Sequence, residues 1–364
     1  MKIGIVTQPL LGNYGGILQN YALQQILRRL GHTPQTIDYI MHNSSYRYFR
    51  HSLKYKLRKL LNKVPAGQQP PTRLRLRNAT MENFIKKYIA TTESITRYES
   101  ELIQQYGLKA IVVGSDQVWR PKYNNYLEDM FLRFAQHCAI RRVAYAASFG
   151  VDKWEYSLGQ TQRCRKLASR FDAISVRERS GEKLCSERLN VSATTVLDPT
   201  LLLTASDYGE LCKNIPTDNE PVLAAYFLKA HNKKRIENNK RFVEKIAAAR
   251  NLKVKSFTAD TAEALSVEEW LATFRDARMI VTESFHGTVF SILNHREFLT
   301  LGNASRGLAR LNTLLGALGL ENRLVSPDNF DLKNLPAIDW EEVDERLNQL
   351  REQSIDFLQK ALAE

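Results

Sequence analysis

Cysteine is scarce in this chain and shows no organisation. Four occur in 364 residues, at 138, 164, 185 and 212, with no Cys-x-x-Cys pair and no cysteine–histidine cluster. Neither a zinc site nor a disulfide framework is therefore expected, and the thiols read as reduced and structural. Long apolar runs are also missing, since none approaches the roughly 18 residues that a membrane span needs. The opening segment Met1-Lys-Ile-Gly-Ile-Val-Thr is too short an apolar stretch for a secretory leader and reads as a first strand, so a cytoplasmic protein is expected. No Gly-x-Ser-x-Gly elbow and no Walker loop occur, which removes the commonest serine-hydrolase and nucleotide-triphosphatase readings. Gly12-Asn-Tyr-Gly-Gly lacks the dinucleotide-binding spacing, with only Asp38 near the place of the ribose carboxylate. Acid is absent altogether between Tyr39 and Met81, a window that holds ten basic residues.

What is present is an ordinary globular composition, 43% hydrophobic and 25% charged. The length suggests two domains. Strand and helix signals alternate in both halves. Apolar strands are read at Lys2–Thr7, Thr36–Ile40, Ala110–Val113, Arg142–Ser148 and Ala173–Val176, and again at Val222–Leu228, Val254–Phe257, Met279–Thr282 and Phe298–Leu301. Helical spacing falls between them, for instance over Ile17–Leu30, Ala79–Tyr88, Lys234–Arg250 and Leu308–Leu318. A final amphipathic helix starts at Asp339. Repeated βα units predict an α/β protein of two doubly wound, Rossmann-like parallel-sheet domains with helices on both faces. Ligands are then expected in the cleft between them. The expected division is 1–195, with a basic insertion over 41–79, then 196–338, then a helix over 339–364.

Four strand-end segments carry chemistry. Met279-Ile-Val-Thr-Glu-Ser-Phe-His-Gly-Thr places a strand-to-helix turn at a sheet's carboxyl end. Its plain reading is a helix cap, with Ser284 as N-cap and His286 exposed in the first turn. Its functional reading is an anion site built from Ser284, Gly287, Thr288 and the helix N-terminus. Histidine there suits acid–base work because the residue type titrates near neutral pH, and as a cation it can also simply bind phosphate. Gly114-Ser-Asp-Gln-Val-Trp offers Asp116 as a cap or as a carboxylate acting on a hydroxyl, and Trp119 for packing or for stacking on a sugar. In Ile174-Ser-Val-Arg-Glu-Arg, Arg177 is either a salt-bridge residue or a fork for carboxylate or phosphate. Arg306 and Arg310 follow the next strand and can reach the same cleft. The Gly12 segment is a tight turn, or an acceptor rim using Asn13, Tyr14, Gly15 and Gln19.

Together these segments resemble the polysaccharide pyruvyl transferase family. The resemblance runs through Gly12-Asn-Tyr-Gly-Gly-Ile-Leu-Gln-Asn-Tyr-Ala-Leu-Gln, Val113-Gly-Ser-Asp-Gln-Val-Trp, Ser175-Val-Arg-Glu, Leu197-Asp-Pro-Thr-Leu-Leu and Ser284-Phe-His-Gly-Thr-Val-Phe-Ser-Ile, spanning roughly residues 1–320. The family often has Thr-Asp-Ser before Phe-His-Gly, where this chain has Thr282-Glu-Ser. The resemblance implies a fold like that of GT-B glycosyltransferases. It also implies phosphoenolpyruvate as co-substrate and a ketal-linked pyruvate on a sugar as product; no resident cofactor is expected and no residue is assigned to a metal.

On that reading, His286, Arg177 and Asp116 are the catalytic candidates. Arg177, Ser284, His286, Gly287, Thr288, Arg306 and Arg310 bind the donor on the second domain's side. Asn13, Tyr14, Gly15, Gln19, Ser115, Asp116 and Trp119 face the acceptor, expected to be a polyprenyl-diphosphate-linked sugar in surface polysaccharide synthesis. Two other readings are a nucleotide-sugar glycosyltransferase on the same fold and a non-enzymatic polyanion binder. Donor turnover separates the first, and salt-sensitive nucleic-acid binding without turnover the second. The basic stretch, with Phe49, Leu53, Leu57, Leu60, Leu61 and Val64 on one broad side, is either a core-facing helix or an interfacial helix on an anionic membrane. No nucleic-acid partner is expected.

Overall fold

The computed structural model describes residues 1–364 except 42–44, 62–76, 78, 125, 229–232, 259–263, 304–306 and 364, and omits the side chains of 45–47, 51, 233, 329 and 333. Central strands of parallel sheets are covered on both faces, so they read as unbroken apolar runs. Among the described residues the strands of the first half are β1 (Lys2–Val6), β2 (Thr33–Thr36), β3 (Ala110–Val113), β4 (Arg141–Ala147), β5 (Ala173–Val176) and β6 (Thr194–Thr195). Those of the second half are β7 (Val222–Tyr226), β8 (Lys253–Phe257), β9 (Met279–Thr282), β10 (Glu297–Leu301) and β11 (Leu324–Val325). They form two sheets, ordered β2-β1-β3-β4-β5-β6 and β11-β10-β9-β7-β8. Every pairing between them is parallel. Counted from its own first strand, each sheet begins second-first-third-fourth-fifth, so the two halves share one winding.

The helices are α1 (Tyr14–Arg29), α2 (Ser45–Leu60), α3 (Ala79–Tyr88), α4 (Glu101–Tyr106), α5 (Leu158–Ala168), α6 (Arg179–Leu184), α7 (Ala205–Cys212), α8 (Lys233–Arg250), α9 (Val267–Asp276), α10 (Phe285–Leu293), α11 (Ala309–Leu318) and α12 (Trp340–Leu362). The periodicity of α1 predicts a one-sided helix, yet it is buried on nearly every side, with even Gln19, Asn20 and Gln24 inside. The reason is position: α1 covers the first sheet and at the same time packs against the second half. Tyr14 stacks on Trp270, with ring centroids 5.3 Å apart, and its hydroxyl donates to Leu265 O at 2.6 Å. One continuous apolar core therefore runs from Ile3 and Ile17 through Trp270 and Phe290.

Helix α12 returns to the first sheet. Leu197 N–H donates to Ser354 Oγ at 3.0 Å, and Arg141 donates to Ala361 O at 3.1 Å. The core-facing reading of the basic stretch fails at α2, where Phe49, Leu53, Leu57 and Leu60 are all exposed. Val64 lies outside the described residues.

Candidate functional site

Ligands of doubly wound sheets bind beyond the strands' carboxyl ends, where the strand order reverses. In the first half that point lies between β1 and β3, and in the second between β7 and β9. Residues after β3, β5, β6, β9 and β10 converge on one buried cluster formed by Asp116, Arg177, Asp198, His286 and Arg310, each between 1% and 9% exposed.

Asp116 follows β3. Gly114 precedes it at φ +123, where an added Cβ would meet Tyr145 O at 2.1 Å, so only glycine permits this turn. Asp116 itself has φ 75, an uncommon left-handed conformation for a non-glycine residue. Its carbonyl holds the turn by accepting from Ser148 N at 3.0 Å and Val118 N at 2.7 Å. Arg177 ends β5 and donates to Asp198 Oδ2 at 2.5 Å and Asp116 Oδ1 at 3.2 Å.

Asp198 is the hub. Its Oδ2 also lies 3.0 Å from Ser115 Oγ and 3.7 Å from His286 Nε2. Its Oδ1 caps the following turn by accepting from Thr200 N at 3.0 Å and Thr200 Oγ1 at 2.6 Å. Pro199 supplies a first turn residue that has no N–H to satisfy.

His286 comes from the other half, in the first turn of α10. Its ring fills the place a side chain on Gly15 would take: a Cβ there would stand 1.9 Å from Nδ1. Glycine at 15 is thus a condition for histidine at 286. His286 Nε2 is buried, with no hydrogen-bond partner among the described residues, and is aimed at Asp198 at ion-pair range. The guanidinium groups of Arg177 and Arg310 lie 4.7 and 5.7 Å from the centre of the Phe285 ring, a cation–π arrangement.

The electrostatics follow from burial and neighbours. Burial alone raises the Asp198 pKa, but the Arg177 charge, then His286, then Thr200, outweigh it and hold the carboxyl well below the usual carboxylate range. Asp116 is likewise lowered: burial opposes, and Arg177, His286 and Arg310 prevail. Arg310 is pushed down to about 10 by burial and then by the adjacent Arg177 charge. The cluster therefore holds ionised carboxylates beside two guanidinium groups, and an anion placed near Arg310 would relieve the repulsion between them.

Several expectations need correction. Trp119 is fully buried, stacks on Phe131 at 4.7 Å and donates Nε1–H to Met130 O, so it packs the core and offers no face to a sugar. Tyr14 is buried in the contact between the halves, as described above. Gln19 is buried, donating to Thr7 Oγ1 and Gly16 O and accepting from Ser115 N, so it braces the β1 and β3 loops against each other. Ser115 is buried beneath Asp198. Thr288 is buried, bonded to Ser284 O and Thr300 Oγ1, inside its own half. Arg177, read as a fork for the donor, closes its fork on two carboxylates of the protein. His286 is not an exposed first-turn residue but is only 6% exposed.

Ser284 is the N-cap of α10, accepting from Gly287 N at 3.2 Å. Asn13 caps α1 and is exposed on the rim. Arg306 lies outside the described residues. Among the described residues, no group of three or more His, Cys, Asp or Glu side chains is arranged to hold a metal ion.

Three acidic residues complete the site without having been singled out from the sequence. Asp198 sits in Leu197-Asp-Pro-Thr-Leu-Leu, a segment that carries the resemblance but for which no chemical role is read. Its Asp-Pro cap signal was visible, but its partners at 115 and 286 were not. Glu178 accepts from Ser148 Oγ, Phe149 N and Gly150 N, fixing the loop after β4. Glu283, which stands where the family often has aspartate, ties three strand ends together. It accepts from Leu228 N at 3.2 Å and Asn303 Nδ2 at 3.3 Å, and pairs with Arg235 at 3.3 Å. The longer side chain thus keeps a charge with defined partners.

Residues 13–305 match the profile of the polysaccharide pyruvyl transferase family. The chain belongs to that family. No curated protein sequence matches it. Among solved structures, Staphylococcus aureus MnaA in complex with UDP aligns at TM-score 0.54 and 9% identity, covering 98% of this chain and 90% of the other. A Neisseria meningitidis UDP-GlcNAc 2-epimerase bound to UDP-GlcNAc aligns at 0.48 and 10%, covering 98% and 94%. A Rickettsia africae glycosyltransferase aligns at 0.44 and 11%, covering 100% and 98%. The likeness is one of fold: two facing parallel-sheet domains of the GT-B glycosyltransferase type.

Proposed function

We propose that this member of the polysaccharide pyruvyl transferase family moves pyruvate from phosphoenolpyruvate to a saccharide and closes it as a ketal on two sugar hydroxyls. The observation that carries the reading is the meeting, at Asp198, of His286, which follows β9 of the second sheet, with Arg177 and Asp116, which follow β5 and β3 of the first. Such a reaction needs a proton for the donor's methylene carbon, a seat for its phosphate and carboxylate, and a base for the attacking hydroxyls. His286, aimed at Asp198, is the acid. Protonation of the methylene makes the adjacent carbon electrophilic, and one sugar hydroxyl adds there and gives up its proton. The bond between that carbon and the phosphate oxygen then breaks, and the second hydroxyl closes the ketal as its proton leaves with the phosphate.

Arg310 and the N-terminus of α10 take the donor's anionic groups. Arg177 positions the two carboxylates. Asp116, beside Arg177 in the cluster, receives the acceptor's proton. The acceptor in this reading is a lipid-linked saccharide whose sugar enters from the first half.

The test incubates the protein with phosphoenolpyruvate and a panel of polyprenyl-diphosphate-linked saccharides, following free phosphate and product mass together. The reading expects phosphate release matched by one added pyruvate less water. Release of nucleotide from a sugar nucleotide, with phosphoenolpyruvate untouched, would replace it with a glycosyltransferase.

A further inference from the structure

Nine large hydrophobic side chains are exposed among the described residues, and five of them, Phe49, Leu53, Leu57, Leu60 and Leu61, belong to α2 and the residue that follows it. Phe49, Leu53, Leu57 and Leu60 recur at intervals of four, four and three, so they form one stripe along the helix. The half-buried residues Tyr48, Ser52 and Tyr55 lie on a different side. The helix thus rests on the protein with its more polar side and turns its leucines outward, the reverse of a core-packed helix. Arg50 and Lys54 flank the stripe along one edge and Lys56, with Lys59 beyond it, along the other, while Arg58 is half-buried, and no acid interrupts the helix.

The segment leaves the sheet at the carboxyl end of β2, the end that carries the cluster. Its far end is tied back there, because Arg77 pairs with Asp38 and donates to Leu10 O at 2.9 Å in the loop after β1. Among the described residues no helix is long and apolar enough to cross a membrane.

We infer that α2 is an interfacial helix that docks the protein on an anionic lipid surface, leucines entering the acyl boundary and lysines and arginines meeting the headgroups. Charge complementarity selects this occupant. An apolar stripe bordered by cations on both edges fits a layer that is apolar inside and anionic outside, whereas a nucleic acid uses the cations and leaves the leucines wet.

The test is cosedimentation of the full chain with vesicles of phosphatidylcholine alone and of phosphatidylcholine mixed with phosphatidylglycerol. Expected is binding to the mixed vesicles only, weakened by salt. Loss of about tenfold or more is expected both in Leu53→Ser/Leu57→Ser and in Lys54→Gln/Lys56→Gln/Lys59→Gln. All five side chains are exposed, so unchanged circular dichroism and thermal midpoints are expected of both variants. Wild-type protein that stays in the supernatant overturns the inference. So does a leucine variant that pellets like wild type, or binding to a single-stranded RNA that only the lysine variant loses. None of these outcomes bears on the donor chemistry.

Discussion

Asp198 is the residue on which the cluster's charge balance turns. It is 1% exposed and directly bonded to Arg177. Asp198→Asn removes one partner of a buried pair and should destabilise the fold by about 3–5 kcal/mol, read as a shift in the urea midpoint. The pH dependence has a defined sign. Asp198 and Asp116 both have folded-state pKa values below their unfolded ones. Their contribution is therefore whole above about pH 4 and disappears as pH falls through the lowered folded-state values. Wild-type stability should drop on acidification below pH 4, and the asparagine variant should show a shallower slope; parallel slopes would mean that Asp198 is not the linked group. Gly15→Ala drives a methyl group into the His286 ring, a crowding that typically costs about 1–3 kcal/mol. Its turnover should fall much further than its stability, as measured by rate and thermal midpoint on one preparation. At this scale the sequence was half legible. Ser284 announced itself as a cap because capping is local, whereas Asn13, read as a turn or rim residue, caps α1. Trp119 did not declare its burial, since an aromatic residue after a strand looks the same whether it packs or protrudes. Asp198 was passed over because Ser115, 83 positions away, is what makes it a hub.

Elements were legible where their pattern is local and strong. Ala110–Val113, Ala173–Val176 and Met279–Thr282 are short, mainly apolar runs, and the strands occupy those spans. The edge strand β2 lies at Thr33–Thr36, not Thr36–Ile40, because Thr-Pro-Gln-Thr has no apolar run and its pairing with β1 alone defines it. The two-residue strands β6 and β11 carry no readable period. Helix α10 begins at the Ser284 cap. Ser284→Ala should cost about 1 kcal/mol, the usual loss of an N-cap, and should displace His286 with the first turn. A urea midpoint unchanged within error would show that the cap contributes nothing to the fold. The sequence could not say which way α2 faces: its stripe was plain, but only the packing shows that the stripe points outward.

At the scale of the whole molecule, two sheets of one winding share a single apolar core through α1, with Trp270 fully buried against Tyr14. Trp270→Ala should therefore cost about 3–5 kcal/mol and lower one common unfolding transition in calorimetry. Two resolved transitions, only one of them shifted, would mean that the halves fold independently. The repeated βα pattern disclosed two sheets. It could not disclose that the histidine of one sheet completes the carboxylate–arginine network of the other, because that depends on how the halves meet. Catalysis across that junction is the central claim, and transfer run in deuterium oxide tests it most directly. The account predicts that the ketal methyl group of the product carries one deuterium, delivered by the acid at His286, and that His286→Ala loses about 10²–10⁴-fold in rate while keeping its thermal midpoint. A product methyl group without deuterium, or a His286→Ala enzyme retaining more than about half the wild-type rate where an acid catalyst supplies orders of magnitude, would contradict it.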